Sequence, residues 1–138
     1  MDPAAPSPRL VELAHAHGVA TEYWDWQGQH VTVTAPAITA VLTALGVDSD
    51  GDEQVERALT EVDLAPWRRT LPATVVAREG WTPWVFAHVP AGTGIRLTVH
   101  LEDGSVREVR QVERWVPDHD VDGVAAREAT FKPPGDLP

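Results

Sequence analysis

The chain has no cysteine, which removes disulfides and thiolate metal cages and is compatible with a reducing cytosol as well as other compartments. Positive charge is also scarce: 11 Lys plus Arg stand against 21 Asp plus Glu, for a formal net charge of −10. Such a chain repels phosphate backbones and anionic lipid surfaces at long range, so nucleic acid and membrane are set aside as partners. No run of about 18 apolar residues exists to span a bilayer. The opening MDPAAPSP lacks the basic start and continuous apolar run of a signal peptide. A soluble, unexported chain is predicted. Its 138 residues suffice for one domain or two small modules but not for a large catalytic barrel. G-x-S-x-G, Walker, H-E-x-x-H and G-x-G-x-x-G patterns are all missing, and no internal repeat is visible. No catalytic residue, cofactor or metal is therefore assigned.

What is present begins with helical periodicity. Ser7 before Pro8 suits a helix start, Leu10, Leu13 and Ala14 share one face, and Gly18 is a natural stop. His15 and His17 diverge on that helix, which favours a place near its negative end over a shared metal. Tyr23, Trp24, Asp25, Trp26, Gln27 and Gly28 read as an aromatic turn, followed by the short extended segment His30–Thr34. Thr34 is placed to cap a second helix carrying Ile38, Val41, Leu42 and Leu45 on its inner face. Asp50 or Asp52 is placed to cap a third, with Val55, Ala58, Leu59 and Val62 inward and its end before Pro66.

From Trp67 the period changes from helix to strand. Pro72–Arg78, Trp84–Val89, Ile95–Leu101, Val106–Val112 and Val124–Phe131 are predicted strands, separated by Gly, Pro or Asp. Asp103-Gly104 predicts a type I′ hairpin between two of them. The pattern gives an α+β chain: a disordered 1–7, a small N-terminal three-helix bundle over 8–66, and an antiparallel immunoglobulin-like β-sandwich over 67–138.

Two acidic segments mimic calcium loops. The first, from Asp48, has Glu53 where the sharp turn needs Gly and Leu59 at the closing position. The second, DHDVDG from Asp118 to Gly123, has its Gly in place but Ala129 at the closing position, which favours a solvated acidic loop. Asp25 reads as a turn residue bonding nearby backbone amides, because no second carboxylate pairs with it. The six Trp are the remaining chemistry. Trp24, Trp26, Trp67 and Trp115 fall at element edges and are expected to pack between modules. Trp81 and Trp84, in the connection GWTPW, are the candidate substrate-binding residues, with Trp81 as a stacking platform for a sugar if it points outward.

The helix followed by AHGVATEYWDWQGQHVTVTAPAITAVLTALGVD, then PWRRTLPATVVAREG, LEDG and PPGDLP, resembles the amino-terminal region of actinobacterial 4-α-glucanotransferases, also called amylomaltases or disproportionating enzymes. The resemblance covers nearly the whole chain. It is most specific over Gly18–Gly46 and Pro66–Pro72.

Members of that family transfer α-1,4-glucan segments between maltooligosaccharides by a retaining mechanism, using carboxylates in a barrel beyond this region. The resemblance therefore implies a cytoplasmic enzyme of maltodextrin and glycogen metabolism whose catalytic barrel is absent from this chain. Gly135–Pro138 resemble the start of a segment leading into that barrel, which leaves the sandwich without its final strand. Three roles are compatible with this: packing on the catalytic barrel of the same polypeptide or on a second subunit as a homodimer, binding maltooligosaccharide or glycogen, or a protein interaction with no sugar contact.

Overall fold

A computed structural model describes residues 5–78 and 80–135. Residues 1–4 of the expected disordered start, and Asp136, Leu137 and Pro138 of the expected continuation, lie outside the described residues. The chain divides into two compact units, Met1–Asp63 and Leu64–Pro138.

The first unit is built on three helices. α1 (Pro8–Ala16) starts where Ser7 Oγ accepts the Leu10 amide at 3.2 Å, with Pro8 in the first turn. α2 (Ala35–Ala44) begins after Thr34, whose side chain makes no capping bond. α3 (Asp52–Leu64) follows Gly51, whose carbonyl accepts the Val55 amide. The expected cap at Asp50 or Asp52 is thus displaced. Asp50 donates its own amide to Asp48, and Asp52 lies inside the first turn, where its charge suits the positive helix end.

Leu10, Leu13, Ala14, Ile38, Leu42 and Val55 form the core of this unit, supported by Ala58, Leu59 and Val62. Complete burial of Leu13, Ile38 and Leu42 stabilises the unit by roughly 1.5–3 kcal/mol per side chain. Val41 and Leu45, expected inward, are exposed. One residue per turn, Ile38 then Leu42, covers the core, and the neighbouring row of α2 is left to solvent. Arg9 on α1 donates to Glu56 on α3, with Nε 2.6 Å from Oε1.

The expected extended segment is half of a two-stranded ribbon. β1 (Glu22–Trp24) pairs antiparallel with β2 (His30–Thr32), placing Glu22 opposite Thr32, Tyr23 opposite Val31 and Trp24 opposite His30. Asp25 closes the turn as expected: its Oδ1 accepts the amides of Gln27 and Gln29, both at 2.8 Å.

The second unit is one curled antiparallel sheet made of β3 (Val85–Pro90), β4 (Leu97–His100), β5 (Val106–Val112), β6 (His119–Val121) and β7 (Val124–Lys132). The strand order is β3-β7-β5-β4, with β6 also on β7. β7 is the shared strand. β3 runs along residues 126–131 of it, while β6 pairs with residues 124–126 and β5 with 130–132. Ala87, Val109, Ala129 and Phe131 form the core on one face, with Val85, Ile95, Leu97 and Val99 packed against it.

Three expectations are corrected here. Pro72–Arg78 is not a strand: Pro72 lacks a donor, Val76 is exposed, and the connection before β3 meets the sheet edge where the His88 amide donates to Thr70 O. Second, the DHDVDG segment is not a loop. It is β6 and a tight turn in which Asp122 (φ 54°) and Gly123 (φ 84°) both take left-handed angles, the signature expected for Asp103-Gly104. The Asp103-Gly104 turn itself has positive φ only at Gly104, with Leu101 N donating to Ser105 O and Gly104 N to Leu101 O. That is a three-residue loop closed by a left-handed glycine. Its Asp103 carboxyl is held below the usual range by the Ser105 side chain and backbone amide.

Candidate functional site

Antiparallel register sorts the second unit's side chains by face. The face opposite the Phe131 core carries Phe86 beside Thr130, His88 beside Glu128, and His119 beside Ala126. Most of its chemistry was not visible in sequence.

Trp67, expected to pack between modules, lies against the imidazoles of this face. Its ring centroid is 4.3 Å from that of His88 and 4.7 Å from that of His119, the latter stacked within 15°. On this face β7 presents the small Ala126 beside His119 and Glu128 beside His88.

His88 Nδ1 donates to the Pro66 carbonyl at 3.0 Å, and its Nε2 lies 3.2 Å from Glu128 Oε2. Both side chains are largely covered, and Arg114 reaches the other Glu128 oxygen at 3.4 Å. Each ring nitrogen and both carboxylate oxygens are thus engaged with other protein groups. The arrangement orders this face of the sheet.

Arg114 carries the network to the candidate residues. Its guanidinium carbon is 5.8 Å from the Trp84 ring and 5.7 Å from the Phe86 ring, within cation–π range of both. Trp84, directly before β3, is therefore held in place while remaining 48% exposed. Trp81 does point outward, at 76% exposure, with its amide bonded to Arg78 O. What these residues offer a ligand is flat faces with charged and polar groups nearby. A depression of about 190 Å³ beside Trp67 and His88 is too small to enclose an oligosaccharide.

Other aromatics are placed differently from expectation. Trp24, Trp26 and Trp115 are 71%, 91% and 85% exposed. For the first two the cause is the ribbon itself, a two-stranded element with a solvent-facing tip. The carboxylates of the calcium-like segment are already engaged: Asp120 Oδ1 accepts the Gly123 amide, and Asp122 takes two bonds from Arg68. Among the described residues no group of three or more His, Cys, Asp or Glu gathers as metal ligands. No helix among them is long and apolar enough to cross a membrane.

The sequence profile described as "MalQ N-terminal beta sandwich domain" matches residues 70–138. The chain belongs to this MalQ N-terminal domain family.

Its relatives extend the match across both units. The 4-alpha-glucanotransferases of Mycobacterium tuberculosis H37Rv and Mycobacterium bovis are each 43% identical over 133 residues, covering 96% of this chain and 18% of theirs. The crystal structure of amylomaltase from Corynebacterium glutamicum superposes with a TM-score of 0.84 at 38% identity, covering 94% of this chain and 19% of that one. The MalQ N-terminal chain thus spans about a fifth of the length of the relatives it matches.

Proposed function

We propose that this chain is the non-catalytic amino-terminal region of a 4-alpha-glucanotransferase that moves α-1,4-glucan segments between maltooligosaccharides, and that it packs on the catalytic part of the same polypeptide. The observation that carries the reading is 43% identity over 96% of the chain to enzymes of that name. Its non-catalytic role is supported by the family match, which is to an N-terminal domain of such proteins. The finer reading is of two modules, a helical bundle over 8–66 and an immunoglobulin-like sandwich over 67–138, acting in the cytoplasm. The matched family's description as a beta sandwich domain supports the sandwich assignment.

The test is glucose release from maltotriose. The 138-residue chain alone should release none. The M. tuberculosis relative should lose stability when its matching 133 residues are deleted, and regain it when this chain is grafted in their place. Transfer activity in the isolated chain overturns the non-catalytic role; a deletion without effect on the melting temperature overturns the packing role.

A second reading is favoured by one observation: Trp84 is braced by Arg114 yet half exposed. In it, Trp81 and Trp84 stack on glucose rings of an α-glucan. Trp81→Ala should then weaken retention of the chain in a glycogen-containing gel.

A further inference from the structure

The aromatic ribbon of the first unit contains a second, independent set of exposed rings. Within four positions, Tyr23, Trp24 and Trp26 are 53%, 71% and 91% exposed. Large apolar faces held in water at this density mark a contact surface more often than chance. The backbone that carries them is also tied down. Asp25 Oδ1 accepts two amides, its own amide donates to Gln29 O at 2.9 Å, and its carbonyl accepts the Gly28 amide at 3.0 Å. The turn bearing Trp26 is thus fixed from both sides, which lowers the ordering cost of binding.

One face of the ribbon combines a ring with a polar rim. Trp24 lies opposite His30, with ring centroids 5.1 Å apart, and His30 Nε2 lies 3.1 Å from Glu22 Oε2. Glu22, Trp24, His30 and Thr32 therefore share that face, and Gln27 and Gln29 follow Trp26 in the turn. The rings are interleaved with polar residues and form no continuous apolar sheet, unlike the core of a stable protein interface. A net charge of −10, with Glu22 and Asp25 adjacent, disfavours an anionic partner. An uncharged ligand with an apolar ring face and a hydroxyl edge satisfies both conditions.

We propose that the β1–β2 ribbon is a glucan-binding site, in which Trp24 and Trp26 stack on glucose rings while Glu22, His30, Gln27 and Gln29 bond hydroxyl groups. The choice of an α-1,4-linked glucan rests on the family reading above; the site itself rests on the ribbon geometry. It is distinct from Trp81 and Trp84, which belong to the other unit.

The test is saturation-transfer NMR and calorimetry of the 138-residue chain with maltoheptaose, with cellohexaose as the linkage control. Trp24→Ala and Trp26→Ala should each weaken maltoheptaose binding about fivefold or more, and Trp26→Phe should retain most of it. Circular dichroism checks the fold, which a tip residue at 91% exposure barely supports. Equal affinity in Trp24→Ala, Trp26→Ala and the parent chain overturns the proposal, as does the absence of any sugar signal from the parent. Loss only in Trp81→Ala overturns the ribbon while sparing the Trp81 reading. Cellohexaose binding that depends equally on Trp24 and Trp26 overturns the α-1,4 assignment alone. Transferase activity in the isolated chain bears on the family role and leaves the ribbon result to stand by itself.

Discussion

Arg68 and Asp122, 54 residues apart in sequence, meet through two parallel bonds: Nε to Oδ2 at 2.8 Å and Nη2 to Oδ1 at 2.9 Å. The pair ties the segment after α3 to the β6–β7 turn. Its guanidinium holds the Asp122 carboxyl below the usual 3.8. A depressed folded-state value means that the stabilisation is complete above the unfolded value and is lost as pH falls through the folded one.

Asp122→Asn tests that directly. Asn tolerates the left-handed angle at this position (φ 54°) and removes only the charge. The variant should melt lower than the parent at neutral pH, and the difference should close as pH falls below about 4. A gap constant down to pH 2 would assign the effect to something other than the ion pair. Asp122→Ala should cost about 1 kcal/mol more than Asn, because the turn strain is added.

Thr130 is 2% exposed on β7, and its hydroxyl has no hydrogen-bond partner among the described residues. Thr130→Val keeps the shape and removes the stranded polar atom. Urea unfolding should show a gain of up to ~1 kcal/mol; a loss larger than that would reveal a partner for the hydroxyl.

The two helix starts make a contrasting pair. Ser7→Ala removes an observed capping bond and should cost about 1 kcal/mol. Thr34→Ala removes none and should cost less than half of that. Equal losses in urea unfolding would mean that the Ser7 hydroxyl bond adds nothing, since the two caps share nearly the same backbone angles.

Asp25→Ala opens the ribbon turn. Hydrogen exchange at the Gln27 and Gln29 amides should accelerate by about tenfold or more, with the α1–α2 core amides unchanged. Uniform acceleration across the first unit would show that the ribbon is part of its cooperative core.

How far the sequence led depends on the range of the interaction. Local signals were legible: the Ser7-Pro8 start, the Gly18 stop, the Asp25 turn and the β5 boundaries all follow from residues within a few positions of one another. Turn geometry was read correctly in kind but assigned to the wrong site, since Asp103-Gly104 and Asp122-Gly123 carry the same dipeptide and only loop length separates them. Pairings across many residues were not legible. The His88–Glu128 contact joins positions 40 apart, and Trp67 finds His88 and His119 only once β7 has set the register. The exposure of Trp24 and Trp26 was missed for a related reason: composition shows an aromatic cluster but not which side of a ribbon it occupies.

The position of β7 has a further consequence, for synthesis. A chain made from its amino terminus completes α1, α2 and α3 from near neighbours, and the first unit can close while the rest is still being made. In the second unit β3, β5 and β6 all depend on β7, so their shared edges stay unpaired until that strand has emerged. A stall or premature stop before Val124 would leave β3, with its Val85, Phe86 and Val89, as an open template for association with other nascent chains.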